Sequence, residues 1–413
     1  MTVRLPVGDE RQISDKMTNG HNAMRVILPI MLAMVAVLSY GQVQTYYVRP
    51  AQTDPGYDVS EDSSAVSRNT ASQTNKLVLF LGGTGSSPSN DYNALRLFAV
   101  GLGFDFINLS YPNNVAAASL ANDPDPLVFD KYRQEACFGT PVSDDVAIDS
   151  LNSIHTRAVN LLLYLDLTYP ADNWGQYLAT SVTLDWSRII VGGHSQGSGH
   201  ACYLAKQLAA DRVLMFAGPN DYSDLYMNAA SWTQQAGATP VSGLFSYLSL
   251  NDEVVAYEKQ AVVISALGML AADDSTHVDD LTSPYGNSHC LYTTQPPGSV
   301  LLNHNVPIML STTNTAVWTY MLTAATTTSI TPLSGAGTDL MACPSIFNIS
   351  FHLTSGDIPA PRTAVVRILD ASGREVEQAI GLDSEMGTRL SPGSYVVLVA
   401  AGKRMLHMRV VKE

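Results

Sequence analysis

The middle of the chain alternates short apolar runs with segments of helical spacing. The apolar runs predict buried strands, and they are Leu77–Leu81, Phe104–Leu109, Arg188–Gly192, Arg212–Phe216, Gly243–Leu250 and Ser288–Thr293. The segments between them with helical character are Asp91–Gly101, Val146–Leu167, Ser198–Ala210 and Asn314–Ala324. This alternation predicts an α/β domain over residues 77–324, with a mostly parallel sheet that carries helices on both faces.

A different pattern begins near the C-terminus. Residues 325–342 are rich in Thr, Ser and Gly and predict a linker. Short alternating strands follow within residues 343–413, and they are Thr363–Leu369, Arg374–Val376, Leu390–Val399 and Met405–Val411. We expect a small all-β sandwich domain there.

The N-terminal segment 1–41 has the pattern of an export signal. Arg25 precedes an apolar run, Val26–Leu38, and small residues follow up to Gly41. This run is shorter than the roughly 20 residues that a membrane span needs, so it favours a cleaved signal peptide over a signal anchor. The polar N-terminal residues leave either Met1 or Met24 as the start of translation.

Residues 42–76 are largely polar, with many Ser, Asp and Thr residues. Such a composition disfavours a packed core. We therefore expect a linker between the signal peptide and the α/β domain.

The net charge argues against one class of partner, and the cysteines show no metal-binding pattern. The formal net charge of −14 argues against nucleic acid as a partner, because phosphate contacts need Lys and Arg. The four cysteines, Cys137, Cys202, Cys290 and Cys343, allow three full pairings after export, and their spacing selects none. No CxxC motif or His/Cys cluster predicts a metal, and we expect no cofactor.

A Gly-x-Ser-x-Gly motif, Gly193-His194-Ser195-Gln196-Gly197, lies between a predicted strand and a predicted helix. A sharp turn there would lift the serine hydroxyl above the sheet, and side chains at the two glycine positions would collide with the neighbouring strand and helix. The chain thus resembles the α/β-hydrolase superfamily, with Ser195 at the position of the nucleophile.

The resemblance implies an acid and then a histidine after Ser195 in the chain. Asp252 follows the strand Gly243–Leu250 and is the preferred acid, with Asp221 as the alternative one strand earlier. His304, in a loop after the last strand, is the preferred base, with His289 as the alternative. His194 and His200, which flank the nucleophile, are weaker candidates.

The resemblance also implies an oxyanion hole. In that superfamily, the loop after the first of these strands supplies one backbone N–H, and here that loop is Gly82-Gly83-Thr84-Gly85. Thr84 is the expected donor in the loop, and Gln196, next to the nucleophile, is the expected second donor.

The C-terminal strands carry a second resemblance. An Asp-x-x-Gly-Arg turn at Asp370–Arg374, the run Leu390-Ser391-Pro392-Gly393-Ser394-Tyr395 and a final Val-Val-Lys are similar to the sorting domain of the type IX secretion system in Bacteroidota. This resemblance implies a partner in the secretion machinery and a secreted or cell-surface location reached through the periplasm. An unrelated immunoglobulin-like module is the alternative.

Together these patterns predict an exported serine hydrolase, similar to carboxylesterases and lipases, that cleaves a carboxylic ester or a related acyl bond. Segments Ser110–Asp145 and Tyr222–Val241 are expected to shape its pocket for a small-molecule or polymer-linked ester. The alternative is a non-catalytic surface or adhesion protein that uses the same fold for binding.

Overall fold

The computed structural model describes most of the chain after residue 42. The described residues are 43–60, 62–269, 275–325, 340–343, 346–347, 350, 352–355, 365–370, 374–382, 385–401 and 404–412. The expected signal peptide and most of the linker 325–342 lie outside them. None of the helices in the described part is long and apolar enough to cross a bilayer.

A nine-stranded sheet forms the centre of the large domain. Its strands in chain order are β1 (Val43–Val48), β2 (Ser64–Asn69), β3 (Leu77–Leu81), β4 (Asp105–Leu109), β5 (Ile189–His194), β6 (Arg212–Phe216), β7 (Leu244–Ser249), β8 (Thr276–His277) and β9 (Cys290–Thr293). Their order across the sheet is β1-β2-β4-β3-β5-β6-β7-β9-β8. Strands β3 to β9 run parallel to one another, whereas β2 pairs antiparallel with both β1 and β4.

Helices cover both faces of this sheet. They are α1 (Pro50–Thr53), α2 (Asn93–Gly101), α3 (Val128–Phe138), α4 (Ile154–Thr168), α5 (Gln196–Gln207), α6 (Tyr257–Ala266) and α7 (Thr312–Thr323). Alternate residues of β3 belong to different cores: Leu79 packs in the cluster that contains residues of α3, α4 and α5, whereas Phe80 packs in the one that contains residues of α2 and α7. The predicted mostly parallel α/β sheet with helices on both faces is confirmed.

The helix predicted over Val146–Leu167 begins later than expected, at Ile154. The reason is local, because the Ser153 side chain accepts a hydrogen bond from the backbone N–H of Thr156 and so caps the helix. Upstream of this cap, the backbone of Ile148 donates to Glu135 instead of to a helical carbonyl.

The prediction of a linker over residues 42–76 is wrong for residues 43–48 and 64–69, because β1 and β2 extend the sheet there. Strand β2 is polar yet buried. Ser67 hydrogen-bonds to the Arg96 guanidinium, and Arg68 lies beside the carboxylate of Asp105. Polar strand residues can therefore be buried here because neighbouring elements supply partners for them.

The C-terminal part forms a small all-β unit, as predicted. Its strands are β10 (Leu340–Cys343), β11 (Ile346–Phe347), β12 (His352–Ser355), β13 (Val365–Leu369), β14 (Glu375–Ile380), β15 (Gly393–Ala401) and β16 (Arg404–Lys412). A five-stranded sheet has the order β11-β16-β15-β13-β14, and β10 pairs with β12. The unit has its own apolar cluster, which includes Val366, Ile368, Val397, Val399 and Val410.

Candidate active site

Ser195 stands at a sharp turn between β5 and α5. Its backbone has φ 56° and ψ −124°, a strained conformation for a residue with a side chain. Its N–H donates to the carbonyl oxygen of Phe216 at 2.9 Å, which holds the turn against the end of β6. The serine is therefore fixed at the carboxyl edge of the parallel strands, where open α/β sheets form their binding sites.

The two glycines of the motif let three backbone segments meet at this turn. A Cβ atom on Gly193 would lie 2.2 Å from the backbone of Gly197, at the start of α5. A Cβ atom on Gly197 would lie 2.0 Å from the carbonyl oxygen of Leu81, at the end of β3. Larger residues at either position would push the helix or the strand away from Ser195.

His304 lies in a short 3₁₀ helix, Asn303–Ile308, and is buried. Its backbone N–H donates to Glu253 Oε2 at 3.1 Å, its carbonyl oxygen lies 3.2 Å from His194 Nε2, and its Nδ1 lies 2.7 Å from Asp252 Oδ2. Its Nε2 is buried and has no hydrogen-bond partner among the described residues. Every polar atom of this residue except Nε2 is thus held in place.

Asp252 accepts hydrogen bonds on both carboxylate oxygens. The backbone N–H groups of Val254 and Val255 donate to Oδ1 at 2.9 and 3.0 Å, and Gln260 Nε2 donates to Oδ2 at 2.9 Å. Burial opposes ionisation, but the hydrogen bond and charge of His304, together with these N–H groups, hold the pKa of Asp252 below its ordinary value. An ionised Asp252 places the imidazole proton on Nδ1 and leaves a lone pair on Nε2.

Asp221, the alternative acid, has a different partner. It forms a fully buried ion pair with Arg133 of α3, at 2.9 Å (Nε to Oδ1) and 2.6 Å (Nη2 to Oδ2), and it accepts from Trp232 Nε1 at 3.1 Å. Arg133 Nη1 also donates to the carbonyl oxygen of Gln196 at 2.8 Å. Burial alone would lower the pKa of Arg133, but the carboxylate of Asp221 raises it. Asp221 therefore neutralises a buried arginine beneath α5.

His289, the alternative base, precedes β9 and lies at the amino edge of the parallel strands, whereas Ser195 follows β5 at the carboxyl edge. Its Nδ1 lies 3.1 Å from the carbonyl oxygen of Leu244, and its ring stacks on Phe245 with centroids 4.0 Å apart. This histidine is held away from the turn that carries Ser195.

The loop after β3 meets the turn at Ser195. The Thr84 hydroxyl donates to Gln196 Oε1 at 2.7 Å, and Gly83 N–H donates to Tyr92 Oη at 2.8 Å. The backbone N–H groups of Thr84 and Gln196 make no hydrogen bond to other described residues. The loop after β3 and the residue after the serine thus each keep an unused N–H donor, whereas the N–H of Gly83 is already engaged.

Sequence reasoning missed several side chains around Ser195. Asn220 Nδ2 donates to Ser195 Oγ at 3.4 Å, and its position beside Asp221 after β6 was a usable signal. Glu253 was equally visible, since it follows Asp252. Arg133 and Tyr92 belong to segments far from the motif, and the sequence carried no signal for either.

Cys137 and Cys202 are buried free thiols, and Cys290 is buried as well. The side chain of Cys343 lies outside the described residues. Burial raises the pKa of the Cys202 thiol to about 12. Over the part of the chain that the structure describes, no group of three or more His, Cys, Asp or Glu side chains could hold a metal ion.

No family model and no curated protein matches this chain. Among solved structures, it is similar to TT1662 from Thermus thermophilus, with 13% identity, a TM-score of 0.29, and 61% of this chain and 88% of that chain covered. It is also similar to esterase B from Lactobacillus Rhamnosis, with 10% identity, a TM-score of 0.32 and coverages of 62% and 76%. A third is a thermophilic esterase from the Planctomycetes species Thermogutta terrifontis, with 12% identity, a TM-score of 0.31 and coverages of 60% and 80%. Similarity at this level does not assign an activity to the chain.

Proposed function

We propose that the chain is a serine hydrolase that cleaves a carboxylic ester, with Ser195 as nucleophile, His304 as general base and Asp252 as the acid that orients it. One observation carries this proposal. Among the polar atoms of His304 only Nε2 is without a partner in the part of the chain that the structure describes, and Nδ1 lies 2.7 Å from a carboxylate that the surrounding donors keep ionised. A histidine held in this way can take a proton from the Ser195 hydroxyl once Oγ comes within hydrogen-bond reach of Nε2.

The first half of the reaction acylates Ser195. Its Oγ accepts a hydrogen bond from Asn220, so its own proton is free to pass to His304 Nε2 as Oγ bonds to the ester carbonyl carbon. The negative charge that develops on the carbonyl oxygen is met by the N–H groups of Thr84 and Gln196. The tetrahedral intermediate then expels the alcohol, which takes the proton from Nε2.

The second half releases the acid. Water gives a proton to His304 Nε2 and attacks the acyl-enzyme at the same carbonyl carbon. The second tetrahedral intermediate collapses, and Ser195 Oγ leaves and recovers the proton. No step requires a cofactor.

The two segments expected to shape the pocket, Ser110–Asp145 and Tyr222–Val241, are joined beneath the turn. Arg133 lies in the first and Trp232 in the second, and both contact Asp221. We propose that these segments select a small-molecule or polymer-linked ester.

The test is covalent labelling of the full-length chain with a fluorophosphonate, together with turnover of a short p-nitrophenyl ester. Ser195→Ala should abolish labelling and lower kcat about 10⁴-fold or more. Ser246→Ala is the matched control, because the hydroxyl of this buried serine on β7 has no hydrogen-bond partner among the described residues. This variant should label like the parent. A parent chain that neither labels nor hydrolyses esters would favour a non-catalytic surface or adhesion protein.

We also propose that the C-terminal strands direct export by the type IX secretion system, to the cell surface or the medium. The small unit has its own apolar cluster, which supports a separately folded module that follows the α/β domain in the chain. In a host with this system, deletion of residues 343–413 should leave the hydrolase in the periplasm. Normal appearance of the truncated chain outside the cell would contradict the proposal.

A further inference from the structure

A chain of hydrogen bonds runs between the three segments proposed to carry the reaction. Gly83 N–H, in the loop after β3, donates to Tyr92 Oη at 2.8 Å, and Tyr92 Oη lies 3.2 Å from His194 Nδ1. His194 Nε2 lies 3.2 Å from the carbonyl oxygen of His304. The loop, the residue before Ser195 and the backbone of the proposed base are thereby joined through two side chains.

Only one arrangement of protons satisfies these contacts. A carbonyl oxygen can only accept, so His194 must carry its proton on Nε2 and donate it to His304. Its Nδ1 is then an acceptor, and the Tyr92 hydroxyl must donate to it. The same hydroxyl accepts from Gly83, so each group in the chain has one defined role.

Both side chains stay neutral over a wide pH range. Burial, together with the neighbouring His304, lowers the pKa of His194 to about 3. Burial raises the pKa of the Tyr92 hydroxyl to about 12. The direction of the hydrogen bonds is therefore constant at any pH where an esterase would be assayed.

The backbone at Tyr92 gives a second, independent observation. This residue has φ 62°, in the left-handed region that a bulky side chain rarely adopts. It stands at the N-cap of α2, yet its side chain does not cap the helix. Strain of this kind persists where the surroundings fix the residue, and here the side chain is directed to Gly83 and His194 instead of to its own helix.

We propose that Tyr92 and His194 are positioning residues that set the separation between the oxyanion loop, Ser195 and His304. This rests on the proposed function and extends it, because neither side chain reacts. His194 holds the backbone of the base at its carbonyl oxygen, while Glu253 holds it at its N–H. Tyr92 engages the N–H of Gly83, whereas the N–H of Thr84 in the same loop has no acceptor among the described residues.

The experiment compares Tyr92→Phe, His194→Phe and their double variant in the full-length chain, by kcat and KM on a p-nitrophenyl ester and by the rate of fluorophosphonate labelling. Misplacement of reacting groups by about 1 Å can cost about 100-fold in rate. We expect kcat to fall about tenfold for Tyr92→Phe and about 100-fold for His194→Phe, with KM nearly unchanged. The double variant should be no slower than His194→Phe, because both changes break one chain.

Two controls distinguish a loss of positioning from a loss of folding stability. Tyr320→Phe removes another buried tyrosine hydroxyl, which donates to the carbonyl oxygen of Ser288, and should keep full kcat despite a lower melting temperature. His194→Gln keeps an N–H donor for His304 and should recover part of the lost kcat, and it also serves if His194→Phe does not fold.

Four outcomes are possible. Loss of kcat in both single variants without further loss in the double variant supports the proposal. Variants with kcat within twofold of the parent and only a lower melting temperature overturn it, as do single losses that multiply in the double variant. A parent chain without ester hydrolysis or labelling refutes the proposed function itself, which is a different result from an active parent with unaffected variants.

Discussion

Strands β6 and β7 are neighbours in the sheet, and each is followed by a loop that carries a buried aspartate. These two aspartates have different partners. Asp221 and Asp252 are both buried at the carboxyl edge of the strands and both accept hydrogen bonds on each oxygen. Asp221 faces an arginine, which stays charged at any pH that the folded protein meets. Asp252 faces His304, whose charge can change during a reaction.

The partner, and not the position after a strand, decides what a buried carboxylate can do. An aspartate paired with arginine fixes structure, because the charges of both groups are constant. An aspartate paired with a histidine can stabilise the imidazolium that forms when that histidine accepts a proton. Both loops are needed near Ser195, one for support and one for the proposed chemistry.

The largest expected effect separates the two aspartates by activity. Asp252→Asn should lower kcat about 10⁴-fold, because an amide at this place favours the wrong tautomer of His304. Asp221→Asn, assayed well below its melting temperature, should stay within about tenfold of the parent, because Asp221 does not touch the base. Steady-state kinetics on a p-nitrophenyl ester measures both. Equal losses would mean that the two loops do not differ in role.

The next largest effect concerns stability, and here Asp221 matters more than Asp252. Asp221→Ala leaves Arg133 as an unpaired buried charge, so the free energy of unfolding should fall by about 3–5 kcal/mol. Replacement of both partners, Arg133→Met with Asp221→Leu, should restore most of it, because two apolar side chains need no counter-charge. Chemical denaturation of the three proteins tests this. A double variant as unstable as Asp221→Ala would show that the ion pair is not the cause.

Much of the fold follows from local patterns in the sequence. The strands Leu77–Leu81 and Arg212–Phe216 were predicted with the bounds that the structure gives them, because buried parallel strands are continuous apolar runs. Strand β2 was missed for the opposite reason: its Ser67 and Arg68 are polar, and their partners Arg96 and Asp105 lie far along the chain. Burial of polar residues depends on such distant partners, which a local pattern does not contain.

The candidate site likewise has residues that a local sequence pattern predicts and residues that it does not. Ser195 was visible because its turn needs glycines at fixed spacing, and the structure gives the collisions that make them necessary. The sequence left Asp221 open as an alternative to Asp252, since both follow a strand. The structure separates them through Arg133, which lies in an insertion without any motif. Contacts of this kind are set by tertiary packing alone.

A smaller effect tests how tightly the Asp221 region packs against α5. Gly199→Ala would place a Cβ atom 2.1 Å from Arg133 Nη2 and 2.9 Å from Asp221 Oδ2. In an ordinary helix this change stabilises by about 0.5–1 kcal/mol, but here overpacking should destabilise by about 1–3 kcal/mol. Thermal denaturation gives the sign directly. In the Arg133→Met, Asp221→Leu background the loss should shrink, and an unchanged loss would place the collision elsewhere.

The smallest expected effect is the contribution of Asp252 to the acid side of the stability curve. Burial opposes its ionisation, but His304 and the backbone N–H groups of Val254 and Val255 lower its pKa in the folded chain. A carboxylate with a lowered folded pKa contributes stability that is fully present above its ordinary pKa of about 3.9 and is lost as the pH falls through the folded value. The difference in melting temperature between the parent and Asp252→Asn should therefore be constant near neutrality and should narrow as the pH falls below about 4, because the parent carboxylate then becomes protonated and loses its advantage. Both proteins, the parent and Asp252→Asn, should also carry Ser195→Ala, which removes any influence of turnover on the comparison. A difference that widens on acidification would mean that the folded chain binds a proton at Asp252 more tightly than the unfolded chain does, and this would contradict the ionised carboxylate on which the contrast with Asp221 depends.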